Sequence, residues 1–257
     1  MRITPARRLK CRLALPGDKS ISHRAALIAA LSSGSSEICN FSTARDCAST
    51  LECLQQLGVS IEKSNDGRIR FAGGQKSTPF TAPGERLDCG NSGSTMRILA
   101  GILAGQNFSS ELIGDESLSA RPMRRIIEPL EMMGARIEST DGKPPLKIQG
   151  TDALVPITYE LPVASAQVKS AILFAGLFAR GRTTVIEKLP SRDHTERLFN
   201  GFGVPVTSDN GSISVEGPAR FTGGSITVPG DASSAAYFVA AAMLLPRSEL
   251  TIENVGL

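Results

Sequence analysis

The stretch Leu15–Ser33 reads LPGDKSISHRAALIAALSS. A strand-like run, Cys11–Leu15, leads into it and breaks at Pro16-Gly17. Asp18, Lys19, Ser20, Ser22, His23 and Arg24 come next, and only then an Ala/Leu/Ile helix. The first N–H groups of a helix have no partner inside it, and its dipole adds about half a positive charge there. A strand, a tight turn and a helix whose first turn carries Ser, Lys and Arg therefore make an anion site. Lys19 and His23 are four apart, as are Ser20 and Arg24, so each pair shares a helix face.

The chain repeats this pattern. Asp88–Thr95, DCGNSGST, opens the helix MRILAGILAG; Leu161–Ser170, LPVASAQVKS, opens AILFAGLFARG; Val228–Ser234, VPGDASS, opens AAYFVAAAMLL. Aligning Ser20, Ser92, Ser165 and Ser233 gives spacings of 72, 73 and 68 residues, the mark of an internal repeat. One such turn alone would read as ordinary helix capping. Gly58, Gly134 and Gly203 each end a second helix, 76 and 69 residues apart, and give the same period independently.

Each unit reads β-α-β-α-β-β. In the first, Glu37–Phe41 is a strand, Ser42–Asp46 caps a helix over Cys47–Leu57, and Val59–Lys63 and Arg68–Phe71 form a hairpin turned by Asn65-Asp66-Gly67. In the second, Glu111–Ile113 is a strand, Arg121-Pro122 opens a helix to Met133 with Pro122 at its first position, and Ala135–Glu138 pairs with Leu146–Gln149. The third has the strand Thr183–Glu187, a helix over about Thr195–Phe202, and a hairpin of Val204–Thr207 with Ser212–Val215. A fourth unit opens with Ser225–Val228, its helix and the strand Leu250–Val255, then stops. The first helix of each unit is apolar almost all round, which predicts helices packed centrally with sheets outside.

The 257 residues are 41% hydrophobic and 21% charged, with 28 Lys+Arg against 25 Asp+Glu. A net charge of +3 is too mild for nucleic acid as main partner. The odd set Cys11, Cys39, Cys47, Cys53 and Cys89, without a CxxC, reads as idle thiols of a cytoplasmic protein. Two histidines, His23 and His194, make a His-based metal site improbable. No signal peptide and no membrane span are expected.

PGDKSISHR, GNSGSTMR, RPMRR, LPVASAQVKSA, SRDHTER and VPGDASSAAYF together resemble the 5-enolpyruvylshikimate-3-phosphate synthase family over essentially the whole chain. The resemblance implies an α/β fold of repeated βαβαββ units. Its domain is inside-out and barrel-like, with helices within sheets, and two such domains face across a cleft. Residues 13–228 would form the first domain, with residues 1–12 and 229–257 an incomplete portion of the second, and 1–12 would pair with residues after about 228. The implied reaction moves the enolpyruvyl group of phosphoenolpyruvate to the 5-hydroxyl of shikimate 3-phosphate and releases phosphate. No cofactor or metal is implied, and glyphosate is an expected inhibitor. Two multiply charged anions must meet, so the cleft needs Lys, Arg and helix N-termini.

Carried over by motif, Lys19 would contact both substrates and help proton transfer. Ser20 and Arg24 would bind the shikimate moiety, Ser20 doubling as a helix cap. Ser165, Ala166, Gln167, Ser191 and Arg192 would hold the 3-phosphate and the space between ligands. Ala166 replaces a Ser found in some relatives and loses a hydroxyl donor. Asn91, Gly93, Arg121 and Gln167 would frame the phosphoenolpyruvate pocket, and Ser94 keeps the hydroxyl of a Thr common in relatives. His23 is expected to be structural, Lys169 structural or peripheral, Arg124 and Arg125 surface, and Asp231 a helix cap. Two alternatives stand beside this reading. One is UDP-N-acetylglucosamine enolpyruvyl transferase, disfavoured because Ser20 follows Lys19 and no matching loop surrounds Asp115. The other is a non-catalytic ligand-binding half that needs the missing second-domain segment, in which case these 257 residues alone are inactive.

Overall fold

In the computed structural model, which describes residues 6–64, 67–72 and 80–256, every repeated turn ends a strand and starts a helix. The first unit holds β1 (Lys10–Ala14), α1 (Lys19–Leu31), β2 (Ser36–Cys39), α2 (Arg45–Gln56), β3 (Ser60–Lys63) and β4 (Ile69–Ala72). The second holds β5 (Leu87–Asp88), α3 (Gly93–Ala104), β6 (Ser109–Ile113), α4 (Glu116–Ser119), α5 (Arg124–Met132), β7 (Arg136–Thr140) and β8 (Lys143–Gln149). The third holds β9 (Thr158–Glu160), α6 (Ala166–Gly176), β10 (Gly181–Ile186), α7 (His194–Gly201), β11 (Val206–Asp209) and β12 (Ser212–Gly217). β13 (Ser225–Thr227), α8 (Ala232–Leu244) and β14 (Glu249–Glu253) follow.

Three mixed four-stranded sheets have one topology: β13-β2-β4-β3, β5-β6-β8-β7 and β9-β10-β12-β11. The first pair in each is parallel and the other two are antiparallel. The sheets stay separate and close no barrel. Inside them pack the apolar helices α1, α3 and α6, buried on nearly every face. α2, α5 and α7 bury one stripe each, as amphipathic helices do. α3 and α6 approach closest at Gly101, where a Cβ would lie 2.1 Å from the Ala171 carbonyl oxygen.

One expectation changes: Ser225–Thr227 does not begin a fourth sheet; it lies parallel to β2 and completes the sheet of the first unit. β1 pairs with residues after 228, as the resemblance implied: it lies parallel to β14, Lys10 opposite Glu249 and Ala14 opposite Glu253. The connections 15–18 and 228–231 therefore cross, side by side. The Asp18 N–H donates to the Pro229 carbonyl at 2.8 Å and the Asp231 N–H to the Pro16 carbonyl at 3.0 Å. Gly17 must be bare, since a Cβ there would sit 1.9 Å from the Asn40 carbonyl oxygen.

Arg121-Pro122 also behaves differently. Asp115 caps the short α4, and α5 begins only at Arg124, so Pro122 lies in the link rather than at a first helical position. α2 starts at Arg45 after Ala44, with no side-chain cap. Of the first hairpin turn, Asn65 and Asp66 lie outside the described residues; Gly67 has the left-handed φ of +79°. The other two hairpins turn through Asp141-Gly142 and Asn210-Gly211, all with positive φ. α8 buries only Ala235 and exposes Tyr237, Met243 and Leu244 by more than 80%. Among the described residues no helix is long and apolar enough to cross a membrane.

Candidate functional site

The helix caps correct the alignment of the repeats. Asp18, Ser92, Ser165 and Asp231 cap α1, α3, α6 and α8, each side chain accepting an N–H of the first turn. Ser20 is thus not equivalent to Ser92 and Ser165. Its counterparts, two residues past each cap, are Ser94 and Gln167.

In that register the site forms around the N-termini of the three central helices. Ser20, Arg24, Ser94, Ser165, Ala166, Gln167 and Arg192 line one cavity of about 230 Å³. Gln167 donates from Nε2 to Ser94 Oγ at 2.9 Å and accepts from Arg97 Nη1 at 2.8 Å. Arg192 reaches across from the third unit, with Nη1 3.4 Å from Ser20 Oγ. Three helix N-termini and two guanidinium groups facing one small cavity give it the positive character that suits a compact anion.

Arg24 is 3% exposed. Its Nε donates to Thr195 and Ser170, Nη1 to the Ser20 carbonyl, and Nη2 to the Ala166 carbonyl and Ser170. It therefore locks α1 onto α6 and leaves one Nη1 N–H for a ligand. Burial lowers its pKa to about 10, so it stays cationic at neutral pH.

A second cluster of cations stands beside Gly93. A Cβ at Gly93 would lie 2.8 Å from Arg97 Nη1 and 3.3 Å from Arg121 Nη1. Arg121 Nη2 donates to Asn91 Oδ1 at 2.5 Å, and Asn91 Nδ2 donates to both oxygens of Asp115 at 3.0 and 2.8 Å. Burial lowers the Arg97 pKa, and the like charges of Arg121 and Arg125 lower it further. Neighbouring like charges disfavour the charged form of each, an effect that a nearby anion would offset. Arg97 was missed in the sequence: inside STMRILAG it reads as one polar residue of an apolar helix.

Lys19 is not among the residues lining the cavity, and its Nζ is 2.8 Å from Asp46 Oδ2. That hydrogen bond raises its pKa against the opposing effect of burial, so the group is an ammonium at neutral pH. Ser191 turns away from the cavity and donates to Glu187 Oε1. Lys169 is neither peripheral nor solvated; it is buried between Glu187 and Glu196. His23 is fully buried, Nδ1 2.6 Å from Thr50 Oγ1, which lies 2.7 Å from Thr95 Oγ1. The five thiols are free, three of them buried; burial pushes Cys47 up to about 12. Among the described residues no trio of His, Cys, Asp or Glu is placed to hold a metal.

The model of the family described as EPSP synthase (3-phosphoshikimate 1-carboxyvinyltransferase) matches residues 3–257. A 3-phosphoshikimate 1-carboxyvinyltransferase of Coxiella burnetii is 48% identical over 252 residues, covering 98% of this chain and 58% of its own length. One of Koribacter versatilis is 50% identical over 257 residues, covering 99% and 59%. A solved structure of EPSP synthase from Acinetobacter baumannii superposes with a TM-score of 0.91 at 43% identity, covering 97% of this chain and 56% of that one. The chain thus spans a little under three fifths of the length of the relatives it matches.

Proposed function

Because the chain belongs to the EPSP synthase family, we propose that it supplies one wall of a site for enolpyruvyl transfer from phosphoenolpyruvate to shikimate 3-phosphate. The observation carrying this reading is the convergence of three helix N-termini, Arg24 and Arg192 on one small cavity, with a separate arginine cluster next to it. Two adjoining anion places suit two anionic substrates.

In this reading the cavity holds shikimate 3-phosphate. Arg192, Ser165 and the free N–H groups of α6 face the phosphate, and Ser20, Gln167 and the remaining Arg24 N–H face the ring. Arg97, Arg121 and Asn91 take phosphoenolpyruvate. The 5-hydroxyl oxygen adds to C2 of phosphoenolpyruvate and gives up its proton as C3 gains one. The tetrahedral adduct then loses inorganic phosphate and a proton from C3. Lys19 is already protonated, so it serves as a cation and proton donor toward the phosphoenolpyruvate oxygens rather than as a base. No cofactor enters this reading, and glyphosate competes for the arginine cluster. The exposed face of α8 is covered by a further segment that completes the cleft. The protein works in the cytoplasm, away from membranes and nucleic acid.

Calorimetry tests the assignment. Shikimate 3-phosphate is expected to bind more tightly than shikimate; equal binding would remove the phosphate role. Arg192→Ala is expected to weaken shikimate 3-phosphate at least tenfold, as loss of a charge contact to a bound anion does.

A further inference from the structure

Lys169 lies in α6 with its side chain 1% exposed. Its Nζ is 2.7 Å from Glu187 Oε2 and 2.6 Å from Glu196 Oε1, both on buried side chains. Arg24 balances the second carboxylate: it bonds Thr195, the neighbour of Glu196, and Glu196 favours its charged form. The core below the cavity therefore encloses two cations and two anions.

The positions of the two carboxylates matter more than the charge count. Glu187 directly follows β10, and Glu196 is in the first turn of α7. Between them runs the loop 188–193, which carries Ser191 and Arg192, and not one of its residues is buried. Its own packing cannot hold it. Leu189 is 69% exposed, and the Lys188–Glu160 and Arg197–Asp193 pairs lie at the surface, where such pairs contribute little. The deep attachments are at the two ends: Glu187 and Glu196 both reach Lys169, the Glu187 N–H donates to the Gly211 carbonyl, and Thr195 beside Glu196 bonds Ser170 and Arg24. Ser191 adds a third tie to the same Glu187.

We infer that Lys169 is a positioning residue: by gripping Glu187 and Glu196 it fixes both ends of the loop 188–193 and so sets Arg192 over the N-terminus of α6. The inference rests on the reading of this cavity as the shikimate 3-phosphate site. α6 carries Ser165, Ala166 and Gln167 on its first turn and Lys169 one turn deeper, so a single helix aligns both sides of the phosphate place. Replacing a buried ion pair by uncharged side chains of similar volume is often neutral for folding or stabilising.

The test follows from that. Lys169→Met alone leaves two facing buried carboxylates and can fail to fold. The combination Lys169→Met, Glu187→Gln removes one charge of each sign, leaves Glu196 to balance Arg24 and keeps the volumes close. Amide hydrogen exchange of this variant, without ligand, is expected to be at least tenfold faster at positions 187 and 197, whose N–H groups donate to the Gly211 and Asp193 carbonyls at the two ends of the loop, and unchanged in the core of α6. Unchanged exchange at these two amides, or acceleration throughout the third unit, would overturn the clamp. Calorimetry then reads its consequence: shikimate 3-phosphate weakens at least tenfold while shikimate stays within twofold. An equal loss for both ligands, or none, would overturn the positioning role. Failure of the wild type to prefer the phosphorylated ligand would instead remove the site assignment, leaving the exchange result to decide the clamp.

Discussion

At the scale of the residue, Gly93 explains itself by what surrounds it. An alanine methyl would meet the ends of two arginines, Arg97 and Arg121, which must then swing away. Gly93→Ala is therefore expected to weaken phosphoenolpyruvate and glyphosate together. The checking measurement is the glyphosate concentration that halves transfer in a protein carrying the remaining segment, expected to rise at least tenfold. His23 makes a different prediction. Burial pushes its pKa down to about 3 from 6.5. The unfolded chain therefore binds a proton between these values that the folded chain refuses. Its contribution to stability is complete above pH 6.5 and is lost as pH falls toward 3, by about 1.4 kcal/mol per pH unit. His23→Gln should flatten the urea midpoint against pH in that window; parallel curves would show that the imidazole is not responsible. Single residues were legible unevenly. Lys19, Asn91, Gly93, Arg121 and Gln167 announce themselves by lying in polar turns. Arg97 and Lys169 stand inside apolar helices, where nothing in the linear order shows what they will face.

At the scale of the element, the repeat was readable because apolar runs, cap residues and terminating glycines recur together. The two-residue slip at Ser20 arose because serine is common in every first turn, while α1 and α8 use aspartate as cap. The pairing of β1 with residues after about 228 came with the family resemblance. The place of β13 beside β2 could not be read, since a short strand before a turn and a helix looks the same whichever sheet it joins. Gly101 offers a test of helix packing. Propensity alone predicts that Gly101→Ala stabilises α3 by up to about 1 kcal/mol. The contact with the Ala171 carbonyl predicts the opposite sign, a loss of about 1–3 kcal/mol from overpacking. Denaturant unfolding decides, and a stabilised variant would mean that α3 and α6 separate at no cost.

At the scale of the molecule, composition and repeat together implied central helices in a sheath of sheets, and the three matching sheet orders have that form. The cavity collects one helix N-terminus from each unit, so it depends on the pseudo-threefold arrangement as a whole. Assayed by themselves, these 257 residues are expected to bind shikimate 3-phosphate but release no phosphate from phosphoenolpyruvate. One wall leaves the ligands in water, and charge stabilisation needs a closed, preorganised site. Phosphate release is expected on adding a polypeptide with the remaining part of a relative; substantial release by the chain alone would show that the wall suffices.

The crossed connections also impose an order in time. β2 emerges early in synthesis, yet its parallel neighbour is Ser225–Thr227, so the first sheet keeps a bare edge until about 190 further residues have been made. β1, the earliest strand of all, waits longer still for Glu249–Glu253. The second and third sheets draw only on local segments and can close while translation continues. Nascent chains stalled at successive lengths and probed by protease should gain protection over residues 87–217 before they gain it over 36–72, so of these three units the one made first is completed last.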